Sequence, residues 1–339
     1  MTLTRRALVA SGLAAPAILS MGLKAKAATT LKISHQFPGG TIDEGDFRDR
    51  MCRKFAALLA ERSKGALEVQ VYPGSSLMKT NAQFGAMRKG ALDMSLYPSP
   101  YAGGEVAEMN IGLMPALVSS YEQAVAWKAA PVGRKITEIL DSKGILLVSW
   151  VWQSGGVASR ERPLYAPTDA KGLKVRGGSR EMDLMMKQAG AATLSIPSSE
   201  SYAAMQTGAC DAVITSSTSL ISFRLEELSK SLTSGRERSY WFMLEPIMMS
   251  KIAFERLPKD QQDLIMAIGA ELEPFGQAGA KADDTKVEEI FTKAGAKVQN
   301  LDEKTLGQWR DIARETAWKD FAGKSASCAE LLKLAEQVS

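Results

Sequence analysis

The sequence predicts an α/β fold of two lobes, each built around a mostly parallel sheet, and three observations predict it. Short apolar stretches with strand patterning alternate with helical periodicity along the chain. The longest apolar run, 144–152, has the continuous apolarity of a central strand covered on both faces, and it runs into Gln153-Ser154-Gly155-Gly156, where the chain crosses between domains. A long helical pattern from Leu257 carries Leu264, Ile268, Leu272 and Phe275 at helical spacing, with Pro274 to kink it, and suits a spine laid over both lobes. On this reading residues 28–152 with about 241–273 form lobe I, and 153–240 with about 274–339 form lobe II.

The elements follow in order. Leu31-Lys32-Ile33-Ser34 alternates as a strand and delivers His35, the only histidine, into a loop. A helix over about 44–63 is set by Phe47, Met51, Phe55, Leu58 and Leu59 and ended by Gly65. Leu67, Val69 and Val71 alternate up to the Tyr72-Pro73-Gly74 turn, and a short helix over 80–89 closes at Gly90. The next strand, 91–96, opens into Tyr97-Pro98-Ser99-Pro100-Tyr101, so Tyr97, Ser99 and Tyr101 stand at a carboxyl end, with Tyr97 the best candidate to face a cleft. A helix over 121–140 leads to the central strand, where Gln153 is polar beside glycines at the strand's end and is a candidate ligand contact. Ser239 to Met249 form a strand broken by Pro246 that returns to the first lobe, and an amphipathic C-terminal helix with Trp309, Ile312 and Phe321 docks on one lobe.

The stretch 171–215 reads as a strand–helix–strand unit and contains the sharpest candidate. Arg176 ends a buried strand, where open α/β sheets bind ligands, and Gly177 and Gly178 leave its guanidinium uncovered. That rigid fork of donors fits a carboxylate bidentately. An ion pair with Glu181 or Asp183 is the structural alternative. Further on, the hydroxyl-rich 215–219 either hydrogen-bonds a ligand, with Thr215 the candidate, or caps the following turn.

The formal charge of +4 resides in the first 27 residues: removing Arg5, Arg6, Lys24 and Lys26 from the 42 cations leaves 38, equal to the 38 acids. A neutral body argues against nucleic acid or an anionic membrane as partner. Arg5-Arg6, an apolar run to Leu23 and Ala25-Lys26-Ala27 form the three parts of a signal peptide over 1–27, which resembles the twin-arginine export type. The expected location is the periplasm, with no membrane anchor after cleavage. Cys52, Cys210 and Cys328 lie far apart, and buried free thiols are expected for Cys52 and Cys210. No nucleophile elbow, phosphate loop, dinucleotide fingerprint or zinc spacing occurs, so neither catalysis, metal nor cofactor is expected; the polar groups at strand ends are hydrogen-bonders, as a binding protein needs.

Five blocks resemble the periplasmic substrate-binding subunits of tripartite ATP-independent periplasmic (TRAP) transporters, the DctP-like family. They are Leu31-Lys32-Ile33-Ser34-His35; Tyr72-Pro73-Gly74-Ser75-Ser76-Leu77 with 87–94; 171–176; 201–212; and Leu257-Pro258-Lys259-Asp260-Gln261-Gln262. The resemblance implies two lobes closing over a small organic acid, delivery to a small and a large membrane subunit, and Arg176 as the residue that grips the carboxylate. Gln153-Ser154-Gly155-Gly156 resembles the branch that binds 2-oxo acids, but Ile214 and Thr215 stand where that branch places an acid and a tryptophan, so no bridging cation follows. Tyr97, Trp152, Trp241 and Phe242 are candidates for an aromatic pocket wall, and Arg176, Gln153, Tyr97, Thr215, His35, Ser99, Trp152 and Trp241 make up the expected ligand set. The alternatives are the binding subunit of another transporter type, or an exported lyase or isomerase acting on organic acids.

Overall fold

The computed structural model describes residues 28–338, so the expected signal peptide, 1–27, lies outside the described residues. The chain enters through β1 (Thr29–Ser34), α1 (Phe47–Arg62), β2 (Leu67–Tyr72), α2 (Thr80–Arg88) and β3 (Met94–Leu96). After a 3₁₀ turn (Ser99–Ala102) and a 3₁₀ segment (Ala107–Leu113) come α3 (Tyr121–Ala126), α4 (Pro131–Ser142) and β4 (Ile145–Leu147). The helix expected over 121–140 is thus two helices, because Pro131 lacks the amide a continuous helix needs and starts a new one instead.

The second lobe holds β5 (Trp152–Ser159), β6 (Lys174–Arg176), α5 (Arg180–Gln188), β7 (Ala192–Thr193), α6 (Ser201–Gln206), β8 (Ala212–Ser216), α7 (Ser217–Ser222) and β9 (Ser231–Ser234). The chain returns through β10 (Phe242–Leu244) and β11 (Ile247–Ser250) to α8 (Lys251–Glu255), α9 (Lys259–Glu271) and α10 (Glu273–Lys293). It closes with β12 (Lys297–Asn300), α11 (Glu303–Ala313), α12 (Lys319–Lys324) and α13 (Ala326–Glu336).

The first sheet runs β2-β1-β3-β11-β4 and the second β12-β9-β5-β8-β6-β7, with β10 paired to β5. In each sheet a single strand opposes the rest: β11 is antiparallel to β3 and β4, and β5 to β8, β9 and β10. Those two reversed strands are the ones that have just crossed between lobes. The crossing is the irregular stretch 148–151, and Gln153-Ser154-Gly155-Gly156 lies inside β5, which corrects its reading as the end of a strand. Its glycines serve close approach: a Cβ on Gly155 would overlap the Thr215 carbonyl and the Trp241 ring, and one on Gly156 the Thr233 carbonyl.

The spine is two helices meeting at Leu272, with Pro274 in the first turn of α10, the bend that this proline predicts. It presses on the crossing stretch through glycines. A Cβ on Gly269 would overlap Val148, and one on Gly276 would come within 2.8 Å of Val151.

One apolar core lies between α1, α9 and the first sheet (Phe55, Ile33, Ile265), and another between α10 and the second sheet (Val287, Phe291, Leu232). The largest runs through both lobes, joining Trp127, Trp152 and Trp241 to Met182, Trp309 and Leu331. The helical stretch carrying Trp309, Ile312 and Phe321, expected to dock on one lobe, also reaches the other: Arg310 and Trp318 donate to the Ala116 and Pro115 carbonyls. The chain from α11 to α12 covers α5, while α13 packs on α4 and the 3₁₀ segment 107–113.

Gly269→Ala should overpack the seam and cost about 1–3 kcal/mol, a drop of several degrees in the thermal midpoint. Gly307→Ala on α11, where a Cβ meets nothing within 4 Å, should be neutral or slightly stabilising by the same scan.

Candidate functional site

Val175 is fully buried and Arg176, at the carboxyl end of β6, is 1% exposed, yet among the described residues no carboxylate lies within ion-pairing distance of the guanidinium. Neutral oxygens hold it instead. Nε donates to the Ile196 carbonyl at 3.0 Å, Nη1 to the Ile214 carbonyl at 2.9 Å and Nη2 to the Tyr101 hydroxyl at 2.8 Å. A guanidinium has five N–H donors, so two remain without a protein partner. Gly178 is a glycine for two reasons: its φ is +93°, and a Cβ there would sit 2.8 Å from Nη1. Ser179 then caps α5, accepting from the Met182 amide at 3.1 Å.

Tyr101 reaches Arg176 from the opposite lobe. Its oxygen accepts from Arg176 and, at 3.0 Å, from the Ser198 amide, which occupies both lone pairs and leaves the phenolic proton to find its own acceptor. A cavity of about 320 Å³ opens beside this junction, lined from one lobe by Asn81, Tyr101 and Asn110 and from the other by Gly178, Arg180 and Ile196. Arg180 is half exposed and paired with Asp320.

The spacing favours Tyr97 as the cleft-facing tyrosine, but Tyr101 is the one on the guanidinium. Tyr97 is fully buried between Phe84 and Tyr101, and burial pushes its hydroxyl far above the usual range. Ser99 is buried close to Gly112. The aromatic wall is also corrected: Trp152 stands edge-to-face on Trp127, Trp241 covers Gly155 and Phe242 meets Tyr121, all in the apolar core and none lining the cavity. Thr215 lies in β8 opposite Gly156, and the following hydroxyl does cap a helix, Ser216 accepting from the Ser219 amide at 3.1 Å.

His35 and Gln153 belong to two further polar groups, one around Asp49 and one around Glu245. His35 Nε2 meets Asp49 at 3.1 Å. Burial works against the Asp49 charge, but hydrogen bonds from His35, Arg53 and the Gly40 amide hold it below the usual carboxylate range. Arg48, in the first turn of α1, makes a two-point pair with Asp46 (2.9 and 2.6 Å), lies 3.5 Å over the Phe37 ring, and reaches Ser219 at 3.1 Å and Glu245 at 3.3 Å. Gln153 donates to the same Glu245 carboxylate. Beside it, Asp284 of α10 accepts from Tyr121 and from Ser154, both at 2.6 Å. Burial pushes Glu245 up to about 7 against the pull of Arg48 and Gln153.

Neither Arg48 nor Glu245 is among the residues expected from sequence. Arg48 looks like a solvated helix position. Glu245, the lone acid in the apolar run 240–249, carried a readable signal. All three cysteines are buried and unpaired.

A carboxylate whose folded value is raised binds more protons native than unfolded, so Glu245 should cost stability as pH rises from about 5 to about 7. Thermal unfolding at a series of pH values should therefore show Glu245→Gln gaining on the parent across that window. A constant difference between the two would refute the assignment.

The model of DctP, described as bacterial extracellular solute-binding protein family 7, matches residues 41–324. A solute-binding protein of Albidiferax ferrireducens is 61% identical over 333 residues, covering 98% of each chain. The crystal structure of a TRAP periplasmic solute-binding protein from Rhodoferax ferrireducens with bound malonate is 64% identical, with a TM-score of 0.90, covering 91% of this chain and 98% of that one. DctP7 of Bordetella pertussis, an extracytoplasmic solute receptor binding pyroglutamic acid, shares the fold at 23% identity and a TM-score of 0.81, covering 91% and 100%.

Proposed function

This chain belongs to DctP, family 7 of the bacterial extracellular solute-binding proteins, and on that premise we propose that it captures a small carboxylate at Arg176 in the periplasm and hands it unaltered to the membrane subunits of a TRAP transporter. The observation that carries this reading is a buried guanidinium with no ion pair, held by three neutral oxygens beside an interlobe cavity and still offering two N–H donors. A buried charge of this kind has no anion bonded to it among the described residues, and an incoming carboxylate supplies one. Malonate and pyroglutamate, bound by the relatives above, are the classes of acid to try first.

Tyr101 gives the capture its closure. Its hydroxyl bridges the lobes only when they are shut, and its proton is left to donate to an oxygen of the acid. The acid thereby adds to the energy difference between open and closed forms and shifts the population toward closed. An enzymatic reading, as a lyase or isomerase, lacks support in the groups that touch the guanidinium, which are carbonyls and a phenol without a matched acid and base.

Thermal-shift and calorimetric screening over mono-, di-, keto-, aromatic and sugar acids tests the proposal, with the recovered acid checked for chemical change. Arg176→Ala should lose about 2–5 kcal/mol of binding, and Tyr101→Phe, which strips an acceptor from two donors, about 1–3 kcal/mol. Parent-like affinity in Arg176→Ala would overturn the site. Conversion of the acid to a product would overturn the function.

A further inference from the structure

Beside the Gly177–Gly178 turn lies a carboxylate that the binding reading does not use. Asp183 is 7% exposed, and among the described residues its Oδ1 has no hydrogen-bond partner and no cation lies within ion-pairing distance. A Cβ built on Gly177 would come within 2.6 Å of that oxygen, while one on Gly178 would come within 2.8 Å of the Arg176 guanidinium. The two-glycine turn is thus flanked by one buried cation and one buried anion, neither with a salt-bridge partner, which compensate each other through space.

The other charges near Asp183 are accounted for. Glu181 and Lys187 share its helix, and Glu181 is bound by Lys324 of α12, as Arg180 is by Asp320. On the segment packed against the outer side of α5, Arg310 donates to the Ala116 carbonyl near Glu303, and Arg314 lies over the Trp318 ring. Glu108 lies on the 3₁₀ segment 107–113.

A carboxylate ligand on Arg176 takes over the compensating role. Two buried anions then share one cation, and burial already works against the Asp183 charge. We propose that binding of a carboxylate at Arg176 takes up a proton from solvent, and that this proton resides on Asp183 as a neutral carboxylic acid. The proposal rests on Arg176 as the carboxylate anchor. Burial, outweighing Arg176, Lys187 and the Gly177 amide, pushes Asp183 up to about 6 before any ligand arrives, so only a modest further rise brings its titration into the neutral range. Affinity for the acid should then weaken as pH increases from about 6 to about 8, by at most about tenfold per pH unit for one linked proton.

Calorimetry of malonate binding at about pH 7.5, where both malonate carboxyls are ionised, in two buffers of different ionisation enthalpy counts the protons directly. The parent should take up a substantial fraction of one proton per malonate. Asp183→Asn should take up none, and should bind at least as tightly, because Arg176 is then uncompensated before the ligand arrives. A purely structural Asp183 would instead lower affinity at every pH and leave the proton count unchanged. In ligand-free protein, the carboxyl carbon resonance of Asp183 should titrate at higher pH in Arg176→Gln than in the parent. Binding heat independent of buffer, a proton count that persists in Asp183→Asn, or an Asp183 titration indifferent to Arg176 would each overturn the proposal. A lack of any malonate heat counts instead against malonate as a ligand at Arg176, and the ligand-free titration then decides the coupling by itself.

Discussion

Keeping the Arg176 guanidinium charged in the interior, with no acid bonded to it, constrains much of the structure around it. Removing a lone charge from water is expensive, and the protein offsets it with dipoles aimed at fixed positions: two carbonyls of its own lobe, Ile214 in β8 and Ile196 in the loop after β7, and a phenol from the other lobe. Each imposes a local requirement. The Ile214 carbonyl belongs to β8, so β6 and β8 must pair in register; Gly178 must lack a side chain; and the turn carrying Tyr101 must meet the second lobe. The donors left over are thereby oriented before any anion arrives, and that preorganisation lowers the ordering cost of binding.

The junction between the lobes is polar in a way that complements this. Arg48, Asp46, Glu245, Gln153, Ser219, Asp284, Tyr121 and Ser154 come from α1 and its cap, β5, the β10–β11 crossing, α3, α7 and α10 and form a largely buried set where the lobes meet. Hydrogen bonds demand direction, unlike apolar contacts, so such a set favours particular relative positions of the lobes over a continuum. The glycines of α9 and α10 bring the bent helix against the same crossing stretch from outside.

Much of this was legible from the residues. Periodicity locates most strands and helices, Pro274 locates the bend, and Arg176 stands out as an arginine at the carboxyl end of a buried strand, left uncovered by two glycines. The packing of the aromatic residues is not legible locally, because a tryptophan beside a cleft and one in the core have the same local pattern; the close packing of Trp241 on Gly155 and of Trp152 on Trp127 is seen only in the fold. The sequence favours Tyr97 over Tyr101 because strand alternation does not carry into a 3₁₀ turn. Arg48 was unreadable for a different reason: its partners lie up to 197 residues away, and no local pattern encodes that separation.

The reversed strands carry a consequence for how the molecule is made. In the first sheet β4 is joined to its neighbours only through β11, whose residues, Ile247–Ser250, come from a chain that has already traversed β5 to β10. During synthesis, which proceeds from the amino end, the first lobe therefore stays one strand short until about three quarters of the polypeptide has emerged from the ribosome. Neither half is a self-sufficient folding unit, and the nascent first lobe presents the open flank of β3 to any chaperone or translocation machinery that acts before that strand arrives.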